Sequence, residues 1–159
     1  MVLGVAKSRL AAERSNWRKD RPFGFVAKPA NNPNGEVDLF TWHCKIPGPS
    51  GSIWEGGLYP LDLKFTENYP TMPPECYFPQ HFYHPNVYPA GKVCLSILDP
   101  SKAWKPGLSV KQVLMGVQEL LKSPNHGDPA QQQAWEDFDL NPNEYDRKIK
   151  AQAQKYQAS

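Results

Sequence analysis

Residues 37–46 read Val-Asp-Leu-Phe-Thr-Trp-His-Cys-Lys-Ile, and their alternation decides the architecture. Successive side chains of a strand point to opposite faces. Asp38, Phe40, Trp42, Cys44 and Ile46 therefore share one side, and Val37, Leu39, Thr41, His43 and Lys45 the other. The first set carries most of the bulk and is the one to face a core. Upstream, Asn31-Asn-Pro-Asn-Gly35 is a turn with hairpin character, which pairs this strand with one beginning at Gly24-Phe-Val-Ala27. Downstream, Pro47-Gly-Pro-Ser-Gly51 closes it. Residues 58–65 and 75–78 supply two more strands, separated by Tyr69-Pro-Thr-Met-Pro-Pro74, where an aromatic residue before proline makes Tyr69–Pro70 a candidate cis bond. Four consecutive strands of this kind predict an antiparallel meander.

Helical periodicity brackets the strands. Leu3, Ala6, Leu10 and Trp17 lie on one side of a first helix. Lys7, Arg14, Arg18 and Arg21 gather roughly 60–70° around its axis, and Arg21-Pro22 ends it. Ser109-Val-Lys-Gln112 is a capping box ahead of a buried stripe of Val110, Val113, Leu114, Val117, Leu120 and Leu121. Asp128-Pro-Ala-Gln131 predicts the start of a third helix, with proline at its first position. Asn141-Pro-Asn-Glu144 repeats that logic for a fourth helix carrying Tyr145, Ile149 and Tyr156. The expectation is an α+β fold: a four-stranded antiparallel meander with one N-terminal and three C-terminal helices, in a single domain over residues 1–159.

Composition narrows the function. Hydrophobic residues make up 40% and charged ones 21%, which excludes a wholly disordered chain. No apolar run has the length of a membrane span and no signal-peptide pattern opens the chain, so the three cysteines are expected as free thiols. Nine of the 17 prolines fall between Pro60 and Pro106. Residues 79–108 nevertheless carry Tyr, Phe, Trp, His and Cys, the composition of an ordered functional loop. The net charge of +2 is too small to argue for nucleic acid. Residues 1–21 hold six basic and two acidic side chains, which predicts a local basic face for a protein partner.

Three thiols compete for chemistry. Cys44 falls in the buried register of its strand and Cys76 sits in a short one; both read as small buried hydrophobes. Cys94 lies in the ordered loop. A zinc site from Cys76, His81, His84 and Cys94 lacks the usual ligand spacing. A Cys94–His84 thiolate–imidazole pair is a second alternative, although His84 before proline reads better as a turn histidine. With neither a Walker motif nor a GxGxxG pattern, the chain is not expected to bind ATP or a dinucleotide itself.

His84-Pro-Asn86, then Cys94-Leu95, then Trp104 and Pro106, resembles the signature of the ubiquitin-like-protein conjugating enzymes, and Tyr69-Pro-x-x-Pro-Pro74 with the strand order extends the likeness over essentially the whole chain. Within that family the chain is most similar to the SUMO-conjugating branch. The stretches that carry this are Arg18-Lys-Asp, Pro22-Phe-Gly-Phe-Val-Ala, Trp54-Glu-Gly-Gly57, His84-Pro-Asn-Val-Tyr-Pro, Val93-Cys-Leu-Ser-Ile-Leu98 and Asp128-Pro-Ala-Gln131. The loop at residues 31–35 and the segment at 99–103 resemble insertions that ubiquitin-specific members lack.

The resemblance implies an acyltransferase that carries SUMO as a thioester on Cys94 and passes it to substrate lysines as an isopeptide. It further implies that Asn86 stabilises the oxyanion and that Tyr88 and Asp128 embed and orient the incoming lysine; read from the residues alone, Asn86 bonds loop backbone and Asp128, ahead of Pro-Ala-Gln, is a helix N-cap, roles compatible with the first. Pro129, Ala130, Gln131 and Trp135 match the substrate-facing region, with helix packing the alternative for Trp135. Arg14, Arg18, Lys19 and Arg21 match the surface for the activating enzyme and a second, noncovalent SUMO. Partners would also include SUMO ligases and lysine-bearing proteins, but neither nucleic acid nor membrane. No metal or cofactor is expected, ATP being used by the activating enzyme. The protein would act as a monomer in nucleus and cytoplasm.

The chain departs from the family where a substrate's downstream acidic residue would be read. Glu75 and Tyr77 stand in place of lysines, Pro49-Ser50 in place of a basic pair, and Ala90 in place of a hydroxyl residue. Lys92 adds a charge near Cys94 and is expected to supply part of that recognition. Conjugation of ubiquitin or another modifier, and a noncatalytic modifier-binding variant, are the alternatives.

Overall fold

In the computed structural model, which describes residues 4–158, the strand at residues 37–46 is the spine of the sheet. It forms β2 (Val37–Pro47), flanked by β1 (Val26–Asn31) and β3 (Leu58–Lys64), with the short β4 (Glu75–Tyr77) at the far edge. The order is β1-β2-β3-β4, every pair antiparallel. The turn at Asn32–Glu36 joins β1 to β2, with the Asn32 side chain accepting from the amides of Asn34 and Glu36. A register shift between Pro29 and Ala30 breaks the β1–β2 ladder, so the predicted alternation is clean only from Trp42 onward.

Trp42 pairs with Leu63, Cys44 with Leu61 and Ile46 with Tyr59, and Leu63 in turn with Cys76, all on the buried face. Each such large side chain contributes about 1.5–3 kcal/mol when buried. Helices α1 (Val5–Lys19) and α2 (Val110–Lys122) pack against this sheet. In α2 the buried residues are the six of the predicted stripe, and the capping box at Ser109 and Gln112 forms as expected. In α1, Ala6, Leu10 and Trp17 are buried; Leu3 lies outside the described residues. The fourth buried residue of α1 is Glu13, whose carboxylate accepts from Arg9 at 2.9 Å and from the Val110 amide at 2.8 Å. It thereby caps a free amide at the start of α2.

Helices α3 (Gln132–Leu140) and α4 (Pro142–Lys155) complete the chain. Asp137, only 2% exposed, accepts from Tyr83 at 2.6 Å, Lys148 at 2.6 Å and Gln133 at 3.0 Å, tying both helices to the loop after β4. That loop is anchored by aromatic packing: Phe78 stacks on Phe82 with centroids 4.1 Å apart, and Trp54 lies against Phe82, Tyr59 and His84. The Trp104 indole donates to the Pro70 and Thr71 carbonyls, and the Tyr69–Pro70 bond is cis. Among the described residues no helix is long and apolar enough to cross a membrane.

One expectation is corrected. The Asp128-Pro-Ala-Gln segment precedes the helix, which starts at Gln132, and the Asp128 carboxylate is held by Lys102 and Asn125. Pro129 has no N–H, and the Ala130 and Gln131 amides that Asp128 would have capped donate instead to the Pro85 carbonyl. At α4 the proline stands at the predicted first position.

Candidate active site

The three thiols separate by depth. Cys44 and Cys76 are buried, and burial pushes both thiols far up from their ordinary range. Cys94 is partly exposed, at the end of an extended stretch that bridges to β4 through Lys92 and to Val87 through Val93. Its amide donates to the Asn86 carbonyl at 2.8 Å. Extended backbone turns Val93 inward and brings Lys92 and Cys94 to the same side. Burial and then the Asp128 charge raise the Cys94 thiol, while the Tyr88 hydroxyl and Lys102 pull it the other way.

His84 is fully buried with both ring nitrogens engaged. One faces the Leu120 carbonyl at 2.8 Å and the other the Asn86 amide at 2.9 Å. Burial pushes its pKa down to about 4. It is a turn histidine that fixes the loop to α2, and these bonds leave it no nitrogen to serve as base or metal ligand.

Asn86 is the hub. Its Nδ2 donates to the Asn125 carbonyl at 2.8 Å and the Asp128 carbonyl at 2.6 Å, and its Oδ1 accepts from the Asn125 amide at 2.9 Å. Both amide hydrogens are thus spent on the loop that carries Asp128. The Ala130 and Gln131 amides donate to the Pro85 carbonyl, which docks the rest of that segment beside the same turn.

Asp128 is 6% exposed, with Oδ1 2.7 Å from the Lys102 ammonium and Oδ2 accepting from Asn125 at 3.1 Å. Asp128 holds the Lys102 ammonium above its ordinary range. Tyr88 is exposed, its phenol raised first by the charge of Cys94 beside it. A tight turn shapes this rim: the Gly91 amide donates to the Tyr88 carbonyl and the Tyr88 amide to the Lys92 carbonyl. Gly91 has φ +103°, and a Cβ there would lie 2.1 Å from the Phe78 carbonyl oxygen.

The remaining predicted residues divide. Pro129 and Ala90 are exposed and Ala130 is half-buried. Gln131 turns inward, donating to the Phe82 and Val87 carbonyls. Trp135 is 9% exposed and packs against Phe138, with the His126 imidazole 4.3 Å away across its face. Lys92, expected to supply part of the recognition of a downstream acidic residue, is paired with Glu75 at 2.9 Å. Arg18, Lys19 and Arg21 are exposed and Arg14 half-buried. Arg14, Arg18 and Lys19 line a cavity of about 430 Å³ between α1 and β2, with Val37 and Leu39 as its apolar wall.

Sequence reasoning passed over Lys102 and Asn125, the two partners of Asp128. Lys102 stood in a segment read only as an insertion, and its signal was a cation in an ordered loop.

This chain matches the ubiquitin-conjugating enzyme family model over residues 9–153. It is 52% identical over 158 residues to a SUMO-conjugating enzyme of Arabidopsis thaliana, covering 99% of each chain. It is also 52% identical over 155 residues to one of Dictyostelium discoideum, covering 98% of each. A SUMO-conjugating enzyme of Caenorhabditis elegans is 52% identical over 155 residues, 98% of this chain and 93% of that protein.

Proposed function

The chain belongs to the ubiquitin-conjugating enzyme family, and from that premise we propose that it is a SUMO-conjugating enzyme, which accepts SUMO as a thioester on Cys94 and transfers it to substrate lysines. The observation that carries the reading is one partly exposed thiol, flanked by Tyr88 and Asp128 on a rim held by Asn86, in a chain half identical end to end to SUMO-conjugating enzymes.

In the first step the Cys94 sulfur attacks the thioester carbonyl on the activating enzyme. A new C–S bond forms, the old one breaks, and the activating enzyme's thiol leaves with the proton. Cys94 itself is raised, so the thiol form dominates at neutral pH. The acyl group arrives already activated, and exchange between thioesters needs only a small thiolate fraction. ATP is consumed by the activating enzyme.

In the second step a substrate amine attacks the Cys94 thioester, the C–S bond breaks, and an isopeptide forms. The amine must first lose its proton, against an ordinary pKa near ~10.4. Desolvation on the Tyr88 ring lowers that value. Asp128 orients the incoming ammonium, which takes the place of Lys102 on the carboxylate. A carboxylate by itself would raise an amine's pKa, so its part is placement. Asn86 acts through the loop, since both of its N–H groups already hold the Asn125 and Asp128 carbonyls.

The basic groove of Arg14, Arg18 and Lys19, with Arg21 beside it, is the surface for the activating enzyme and for noncovalent SUMO. SUMO ligases and lysine-bearing proteins complete the partners, in nucleus and cytoplasm.

A charging reaction with ATP tests this, comparing SUMO with its activating enzyme and ubiquitin with its own on nonreducing gels. The reading expects a reductant-sensitive SUMO adduct, absent in Cys94→Ala. A ubiquitin adduct alone would overturn the modifier, and no adduct with either would overturn the enzyme.

A further inference from the structure

Cys94 shares its side of the extended segment with Lys92, two residues and roughly 6–7 Å away along the chain. A peptide that delivers a lysine to Cys94 therefore passes its neighbouring residues over the Lys92 ammonium. That cation is already matched: Lys92 Nζ lies 2.9 Å from Glu75 Oε2, and Tyr77 Oη reaches Glu75 Oε1 at 3.3 Å. Lys64 stands beside Glu75 in the β3–β4 register, with its ammonium 4.5 Å from the Tyr77 ring centroid. The Glu75 carboxylate is thus paired with Lys92, while the Lys64 ammonium stays nearby over the Tyr77 ring.

The pair lies open to solvent, its side chains 46% and 51% exposed. It roofs an apolar cleft of about 200 Å³ whose other walls include Met72, Pro73, Pro74 and Leu98. Exposed pairs of this kind are weak and are screened by salt. They still determine what an approaching charge meets. A carboxylate on the acceptor must either displace Glu75 from Lys92 or stand beside it, and the attraction of the cation is offset by the repulsion of the anion.

We propose that Glu75 is a specificity-setting residue: by holding Lys92 it makes acceptor choice indifferent to carboxylates one or two residues from the target lysine. The acceptors of this chain are then lysines in segments without a required acidic neighbour. This deepens the proposed function, resting on Cys94 as the site to which the lysine is delivered.

The test uses paired peptides that differ only in Glu or Gln two residues after a single lysine. Wild type, Glu75→Gln and Glu75→Gln/Lys92→Met are compared by kcat/KM for transfer from preformed thioester. Wild type is expected to favour neither peptide by more than about twofold. Glu75→Gln is expected to favour the Glu peptide by about three- to fivefold, the scale of one exposed ion pair, through KM. The double variant returns to the wild-type ratio, and about 1 M salt erases the difference. Binding of the same peptides to the uncharged protein, followed by NMR, reads the same ratios without catalysis and separates failure of this inference from failure to carry a modifier. A wild type that already prefers the Glu peptide fivefold, or a Glu75→Gln protein with an unchanged ratio, would overturn it.

Discussion

Replacing Asn86 by alanine is expected to separate the two half-reactions. Its side chain makes three hydrogen bonds, all to the loop that carries Asp128. Deleting it strands the Asp128 carbonyl in a buried position, at a cost of about 1–3 kcal/mol, and removes two bonds at the part-exposed Asn125, each worth about 0.5–1.5 kcal/mol. The total, about 2–6 kcal/mol, is concentrated on a loop that can open without unfolding the sheet. Global stability in urea should therefore fall by about 2 kcal/mol or less, while exchange of the Asn125 amide rises about 30-fold or more. Charging of Cys94 needs no ordered Asp128 and should stay within about threefold, whereas discharge to a lysine acceptor slows about 10- to 100-fold because the reacting groups are no longer held in place. Hydrogen exchange, urea titration and single-turnover discharge on the same preparation read all three. Slow discharge with an unchanged Asn125 amide would refute the reasoning, since the amide would then be acting on the reacting carbonyl itself.

Three further expectations follow from the same geometry. Asp128 raises the Cys94 thiol and Lys102 lowers it, so the pH profile of Cys94 alkylation should move down in Asp128→Asn and up in Lys102→Met; shifts in the same direction would contradict this. Gly91→Ala would place a Cβ 2.1 Å from the Phe78 carbonyl at φ +103°, and it should cost about 2 kcal/mol or more in urea and slow charging through displacement of the Tyr88–Lys92 turn. Asp137 is held down to about 2, first by Lys148 and then by Tyr83. The stability it contributes is present above the ordinary carboxylate value near ~4 and is lost as pH falls through about 2. Asp137→Asn should lose about 2 kcal/mol at neutral pH and lack that part of acid unfolding, measured by thermal melts across pH 2–5.

Local pattern made the sheet and α2 legible. The alternation from Trp42 to Ile46, the Ser109–Gln112 box and the six-residue stripe need only near neighbours to be right, and the structure follows each. The reading failed where a distant partner outbid a local one. Asp128 looks like an ideal cap for a helix beginning at Pro129, but Lys102, 26 residues earlier, takes its carboxylate, and the helix begins at Gln132. Glu13 was hidden for the opposite reason. Its spacing from Leu10 and Trp17 puts it on the buried stripe, where a charge is costly, and the Arg9 and Val110 partners make that position habitable. The basic face of α1 was visible from composition, whereas the opposing wall of Val37 and Leu39 required the fold. At the site, the family resemblance pointed to Cys94, Asn86, Tyr88 and Asp128 but could not show that the hydrogens of Asn86 are committed to the loop, or that Lys92 is paired to Glu75 on the neighbouring strand β4.

Cys94 is proposed to carry the modifier through its sulfur. Intact-mass measurement of the charged protein, with wild type and Cys94→Ser side by side, addresses this most directly. Wild type should gain the mass of SUMO less one water and lose it on adding reductant, while Cys94→Ser should carry the same mass as an oxyester that reductant leaves in place. Persistence of a reductant-sensitive adduct in Cys94→Ser would place the thioester on another thiol and contradict the account.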